Sequence, residues 1–538
     1  MNPRSILTRV STRTALTLTG ASLLLAVALT ASAQPVYNGT PDWISTDTPY
    51  STGGALVDLD HDGWLDLVVG NGNDMRREQL AVYYNNGDGT YPLTPDWLAS
   101  DSEYNGHISV ADVNGDGWLD VAVGLTQDGL GAASARLYLN NNGTLSSLPD
   151  WASTETDAAF HVDFGDVNSD GRPDLAVGTG FPYSGTHQWH NYVHLNINGT
   201  LEAAPSWVSA DTYDYGDILF CDVNRDGWLD LIGVGQGTDT WVYFNNQGTL
   251  NTAAGWHTLD NPGQFSVMGT YGDLTGNGYP ELFTTDNTQL AGGAGYFRRY
   301  DGIAFGFFTT SPTWSYYEGY GSAVSLADFD ADGDLDLATG GWWENTRYFL
   351  NTGGTLPTSP SWSSSGTSVV EAIVFGDVDQ DGRRYPTETF DLSATPGRQL
   401  FKLARQPVDE ILGVSVDGVP LLPDQYMADT VHGWLTVGVP PVHTVVVRYA
   451  FTFKPEMIIT NWDDNKGNYL YYNNNSVPRY GDLDDNGAVD VADFDALADC
   501  LAGPDNGLPT GCWNVDADLD DDADLHDAAR FATAFTGP

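Results

Sequence analysis

One acidic nine-residue pattern, written seven times, restricts the fold of this 538-residue chain more than any other feature. The copies begin at Asp58 (DLDHDGWLD), Asp112 (DVNGDGWLD), Asp166 (DVNSDGRPD), Asp222 (DVNRDGWLD), Asp273 (DLTGNGYPE), Asp328 (DFDADGDLD) and Asp377 (DVDQDGRRY). Successive starts lie 49 to 56 residues apart, the period of a propeller blade or a similar array of small units. A P-x-W element keeps the same period around Trp43, Trp97, Trp151, Trp207, Trp314 and Trp362, with Trp256 in a looser version. So does an Asn-rich turn, as in YYNNGDGT (Tyr83 to Thr90), LYLNNNGT (Leu137 to Thr144) and VYFNNQGT (Val242 to Thr249).

Short alternating apolar runs rich in β-branched and aromatic residues lie between these markers, without a helical period. One unit reads as four strands. The first enters the acidic loop, as in HISVADV (His107 to Val113), and the second leaves it, as in LDVAVGL (Leu119 to Leu125). The third ends in the Asn turn and the fourth carries the P-x-W. Seven such units predict a mainly β protein, a seven-bladed β-propeller; a β-solenoid would repeat over a shorter period. Trp43 precedes the first loop, while the last unit ends at YYNNN (Tyr471 to Asn475) with no P-x-W of its own. The N-terminal segment is therefore expected to supply the last outer strand and remove the open edge.

Oxygen-bearing side chains at positions 1, 3, 5 and 9 of a tight loop converge on one point, and the glycine at position 6 permits the turn. A hard divalent cation wanting six to eight oxygens suits such a set; zinc would want nitrogen or sulfur. The expected calcium ligands are Asp58, Asp60, Asp62 and Asp66, then Asp112, Asn114, Asp116 and Asp120 with the Trp118 carbonyl, then Asp166, Asn168, Asp170 and Asp174. They continue with Asp222, Asn224, Asp226 and Asp230, then Asp273, Thr275, Asn277 and Glu281, then Asp328, Asp330, Asp332 and Asp336. The fifth loop carries less charge, and the seventh reads as degenerate because Tyr385 stands where the ninth-position acid is expected. The repeated D-x-[DN]-x-[DN]-G-x-x-[DE] within ~50-residue β units resembles the FG-GAP/VCBS repeats of integrin-α-like propellers, over roughly Gln34 to Ser476. That resemblance implies a structural calcium ion in each intact loop.

The seventh unit is interrupted. Its second strand is not met until MIITNWDD (Met457 to Asp464), and residues 387–455 read as a separate module with strands LGVSVDG, GWLTVGVP and HTVVVRYAF. It is expected to be a small immunoglobulin-like β-sandwich projecting from a propeller made of residues 34–386 and 456–477. Residues 478–538 change character. DLDDNGAVDVAD offers Asp482, Asp484, Asn486, Asp490 and Asp493 at EF-hand positions, and DADLDDDADLHD offers Asp516, Asp518, Asp520, Asp524 and Asp527. Each loop runs into a helical pattern, FDALADCLAGP and ARFATAFTGP, so this part resembles a dockerin type I domain. The resemblance implies a short α-helical EF-hand module with a cohesin-like partner. Val491-Ala492 and Leu525-His526, at the positions that meet a cohesin, depart from the Ser-Thr pair of cellulosomal members.

Composition sets the surroundings. With 72 acidic against 21 basic residues the formal charge is −51, which excludes nucleic acid as a partner. Arg4, Arg9 and Arg13 precede an apolar run from Ala15 to Leu29 and an Ala31-Ser32-Ala33 cleavage pattern, so residues 1–33 read as a secretory signal peptide. No other segment approaches the ~20 apolar residues of a membrane span, so the mature chain is expected to be secreted and not membrane-spanning. Cys500 and Cys512 can pair in an oxidising exterior, while Cys221 reads as a small buried residue.

Five residues before each loop stand Gly53, His107, His161, Asp217, Met268, Ala323 and Ala372. They occupy equivalent places on the innermost strands, at the end away from the loops. His107, His161 and Asp217, with Asp163 one step deeper, are the candidates for a ligand or acid–base site; the alternative is a set of hydrogen-bonded channel residues. Two functions remain open at this point. One is a secreted calcium-binding propeller that binds an extracellular glycan or protein in adhesion. The other is a propeller lyase or glycoside hydrolase acting on acidic polysaccharide.

Overall fold

The computed structural model describes residues 35–475, except 74, 127–132, 181–188, 260–264, 290–292 and 304–305, and in the tail 494, 497, 498, 500, 501 and 528. The expected signal peptide and the tail ligands Asp482 to Asp527 lie outside the described residues. Cys500 is disulfide-bonded, its expected partner Cys512 lying outside them too; Cys221 is a buried free thiol.

The described chain is mainly β, with one 3-10 turn at Pro423–Gln425 and helical residues at 494, 497, 498, 500 and 528 in the tail. Five antiparallel sheets have four strands in simple sequence order. The first runs Ser51–Val57, Asp66–Asn71, Ala81–Tyr83 and Trp97–Leu98. The second repeats it with Asn105–Ala111, Asp120–Leu125, Ala135–Tyr138 and Trp151–Ala152. In each, the acidic loop joins the first two strands and the P-x-W tryptophan opens the short fourth. A sixth sheet has six strands because two long ones serve twice. Asp336–Phe349 pairs with Gly321–Ala327 through its first half and with Trp362 to Val369 through its second. The remainder of Trp362–Gly376 then pairs with Glu456–Asn461, followed by Tyr469–Tyr471 and Trp43–Ile44. Trp43–Ile44 is thus the outer strand beside the last repeat, as the missing P-x-W predicts.

Buried apolar residues form clusters between neighbouring sheets rather than one central core. Each fully buried Val, Leu or Phe contributes about 1.5–3 kcal/mol, so these faces dominate the stability of the ring. Near the axis the backbones approach too closely for larger residues: a Cβ on Gly106 would lie 2.4 Å from the carbonyl oxygen of Phe160. The P-x-W tryptophans link sheets at the rim. The indole Nε1 of Trp43 donates to Tyr91 O, that of Trp256 to Phe308 O and that of Trp314 to Pro357 O.

The segment between Gly376 and Glu456 forms two further sheets. Arg383–Arg384, Thr387–Asp391 and Glu410–Val416 pair along Thr444–Thr452, with Val419–Pro420 outside Glu410–Val416. Leu400–Lys402, Trp434–Val437 and Tyr426–Asp429 make the second sheet. Phe401, Val414, Leu435, Val445 and Val447 fill the space between them. Rather than projecting away, this module lies across the acidic loops. Arg383 Nη1 donates to Gly63 O at 2.6 Å, Gln399 Nε2 to Ser169 O at 2.8 Å and Gln406 Nε2 to Tyr271 O at 2.7 Å. Among the described residues no helix is long and apolar enough to cross a membrane.

Candidate functional site

Six loops share one geometry. The position-6 glycine donates its N–H to the position-1 carboxylate: Gly63 to Asp58, Gly117 to Asp112, Gly171 to Asp166, Gly227 to Asp222, Gly278 to Asp273 and Gly333 to Asp328, at 2.7 to 3.0 Å. These glycines all sit at φ between +83° and +93°, where a side chain would be strained. Position 4 is left-handed as well, and there His61, Ser169, Arg225 and Ala331 accept φ values of 56° to 64° without being glycine. In the first and sixth loops this double turn brings side chains 1, 3 and 5 together. Asp58, Asp60 and Asp62 each bring an oxygen within 4.8 Å of the others, and so do Asp328, Asp330 and Asp332.

The oxygens gathered there suit a hard cation. Among the described residues, Asp58 Oδ1, Asp222 Oδ1 and Asp330 Oδ1 are buried without a hydrogen-bond partner, a costly state for a carboxylate unless a cation or a proton meets it. Burial pushes Asp328 up to about 7 and Asp222 to about 7. The ninth-position acids sit deeper, and burial raises Asp66 to about 8, Asp120 to about 7 and Asp336 to about 9.

Those deep acids also tie the repeats together. Asp66 accepts from Leu59 N at 3.0 Å and from Asn85 N at 2.9 Å, joining its own loop to its own Asn turn. The Asn side chain then reaches the loop of the preceding repeat. Asn140 Nδ2 donates to Leu59 O, Asn196 to Val113 O, Asn245 to Val167 O, Asn351 to Leu274 O and Asn473 to Phe329 O, at 2.7 to 3.0 Å. Asn85 donates to Val378 O at 3.0 Å, so the first repeat is bonded to the seventh. The Asn turn was visible in the sequence, but its role was not read from it; the signal was an Asn at the head of the turn in every repeat but the fifth, where Asp301-Gly302 stands.

On the inner strands, His107, His161, Asp163 and Asp217 line one cavity of about 160 Å³, together with Gly53, Met268 and Ala372. His161 Nδ1 lies 2.8 Å from Asp217 Oδ1. Asp217 is fully buried and also accepts from Ile218 N and Gly269 N, both at 2.7 Å. Burial works against the His161 charge, but the Asp217 carboxylate outweighs it and the imidazole is raised above its ordinary range. His107, 5.0 Å away between ring centroids, is pushed down to about 3 by burial and then by the His161 charge, so it is neutral. Asp163 accepts from Phe220 N at 2.8 Å and is lifted to about 7 by burial and by Asp429.

The inserted module closes the loop end of this cavity with Pro407, Val408, Met427, Asp429 and His432. His432 stacks on Tyr271 with ring centroids 4.0 Å apart and places Nδ1 2.8 Å from Asp429 Oδ2. These roof residues carried no sequence signal. The arrangement can hold a proton or a few waters; ligand pockets for larger molecules run to about 300–1,000 Å³.

A family profile described as FG-GAP-like repeat matches residues 58–123, 127–177, 222–284 and 328–384. The chain carries FG-GAP-like repeats. Human integrin alpha-6 is 29% identical over 165 residues, which cover 29% of this chain and 14% of that protein. Human integrin alpha-7 is 30% identical over 190 residues, 32% of this chain and 16% of the relative. Mouse integrin alpha-3 is 35% identical over 104 residues, 18% and 10%. The matched segment therefore spans less than a fifth of the length of these relatives. A solved structure of BBS1N in complex with ARL6DN aligns over 64% of this chain at 13% identity, with a TM-score of 0.39, too loose a likeness to bear on the fold. The FG-GAP-like repeats and the integrin alpha relatives support an FG-GAP/integrin-like β-propeller.

The seventh FG-GAP-like repeat departs from the sequence expectation. Tyr385 does not end that loop. After Gln380, left-handed like the other fourth positions, the chain leaves the pattern at Gly382, whose carbonyl accepts from Phe453 N. The ninth-position place is taken by Glu456. It faces Gly376 across the strands as Asp66 faces Val57 and Asp120 faces Ala111. Its Oε2 accepts from Val378 N at 2.9 Å, matching the bond from Leu59 to Asp66. A search confined to nine contiguous residues misses it; the marker is the acid just before MIITNWDD, which occupies the place of Asp66 before LVVGN.

Proposed function

We propose that this protein is an extracellular recognition module of the adhesion type, a seven-bladed propeller whose FG-GAP-like loops each hold a calcium ion. The observation that carries the reading is the convergence of the position-1, -3 and -5 carboxylates of the first and sixth loops around buried oxygens with no protein partner. An all-oxygen donor set selects a hard cation, and its charge offsets repulsion that the loop cannot relieve alone. The seven-blade count is supported by the Asn bonds that join neighbouring repeats at every step but the one from fifth to fourth, and return from Asn85 to the seventh. The calcium role is structural: each ion joins the first two strands of its blade, and the residues present supply oxygens, turn geometry and shielding from water.

The ligand is an extracellular protein or glycan, met on the surface that the loops keep in shape. The strongly negative charge favours neutral or basic partners over acidic polysaccharide. The His161–Asp217 pair belongs to the framework in this reading, because its cavity is far below the size of a sugar-chain site. The residues after Ser476, with their EF-hand spacing, serve attachment. Fluorescently labelled full-length protein applied to arrays of matrix proteins and glycans, with calcium and with chelator, tests this. Calcium-dependent retention on a discrete set of ligands is expected. Turnover of an acidic polysaccharide that His161→Ala abolishes would replace this reading with an enzymatic one.

A further inference from the structure

We infer that Glu456, brought back across the inserted module, completes a seventh hard-divalent-cation site with Asp377 and Asp379, and that the ion fastens both roots of that module to one loop. This rests on the reading that the other loops hold cations. Asp377, Asp379 and Glu456 each place one oxygen within 4.8 Å of the others. Asp377 is fully buried, and neither of its carboxylate oxygens has a hydrogen-bond partner among the described residues.

The bases nearby give their hydrogen bonds elsewhere, although the Arg383 charge reaches Asp377 and its Nε is unpartnered. Arg383 gives Nη1 to Gly63 O and Nη2 to Glu410, and Lys454 is paired with Asp381. Asp409 adds a further acid, accepting from Asp377 N at 3.0 Å. A buried carboxylate among acids, hydrogen-bonded by no protein cation, calls for an ion. The donors are all oxygen, which selects calcium-like cations over zinc-like ones.

Glu456 makes the site more than a decayed copy. Glutamate is one methylene longer than the aspartate found in most repeats. It accepts from Val378 N through Oε2 while remaining within reach of Asp377 and Asp379. Asp377 and Asp379 precede the module and Glu456 follows it, so an ion shared by the three closes a ring through some 80 residues of chain, and closing so long a loop restrains it strongly. Lys454 and Asp381 form a second clasp at the same root.

Native mass spectrometry of the full-length protein, stripped and then saturated with calcium, reads the ion count directly. Glu456→Gln and the more accessible Asp379→Asn are each expected to lose one ion relative to wild type. A double variant in the first loop, Asp60→Asn with Asp62→Asn, also loses one if the parent reading holds. If that control loses an ion while both seventh-loop variants keep the wild-type count, the seventh site is overturned and the parent reading stands. If all three keep it, both fall. Near-UV circular dichroism confirms that the Asp379→Asn protein is folded, so its count is decisive should Glu456→Gln fail to fold. Hydrogen exchange tests the fastening. Calcium is expected to slow exchange at residues 378–384 and 453–457 in wild type and not in Glu456→Gln; protection at the other loops without protection here would overturn it.

Discussion

A carboxylate buried without a countercharge is the recurring event at the scale of single residues, and it makes a signed prediction about pH. Burial raises Asp66 and Asp230 to about 8 and Asp336 to about 9, against about 3.8 when unfolded. Between those values the cation-free fold binds more protons than the unfolded chain, so its stability falls as pH rises from about 4 to about 8 and is flat below. Chelator-treated protein is expected to melt at a lower temperature at pH 8 than at pH 5. With saturating calcium the trend reverses, because the ion binds the deprotonated loop. Thermal melts across pH in calcium and in chelator check both. At this scale the loop acids were legible because their chemistry is written in residue type. The left-handed backbone at His61, Ser169, Arg225 and Ala331 was not, since only glycine announces that conformation.

The strands and turns are the scale at which repeats become a ring. Period-2 apolar runs and the returning P-x-W made the four-strand unit readable, and the absent eighth P-x-W pointed to Trp43 as a closing strand. Trp43 pairs with Leu470, packs its ring edge-on against Tyr83 and Tyr91 at 5.7 Å, and donates to Tyr91 O. Trp43→Ala is expected to cost about 3–5 kcal/mol in equilibrium unfolding. The Asn belt escaped the sequence reading because Asn in a turn is ordinarily explained by the turn itself. Its side chains instead cross to the neighbouring sheet. Asn140→Ala strands the buried Leu59 carbonyl and is expected to cost about 1–3 kcal/mol. Asn141→Ala, at an exposed position one residue on, is expected to stay within about 0.5 kcal/mol. Denaturant titrations of the two variants compare them directly.

The whole molecule adds what no repeat contains. The inserted module was recognisable as β from its alternation, yet nothing in its sequence announced that it would roof the cavity through Asp429 and His432 or return Glu456 to the seventh loop. Docking is decided by surface shape and by hydrogen bonds between distant residues, such as Gln399 to Ser169 and Gln406 to Tyr271, and neither has a local signature. The candidate cavity shows the same division. His107, His161 and Asp217 were found from their equivalent strand positions, whereas their enclosure depends on chain more than 200 residues away. At this scale the proposed cations in the loops are what hold the ring together. Calorimetry of the full-length protein during a calcium titration tests this most directly. The midpoint is expected to climb with calcium as ligand-linked stability requires and to collapse in chelator. A midpoint that is the same in excess calcium and in chelator would contradict it.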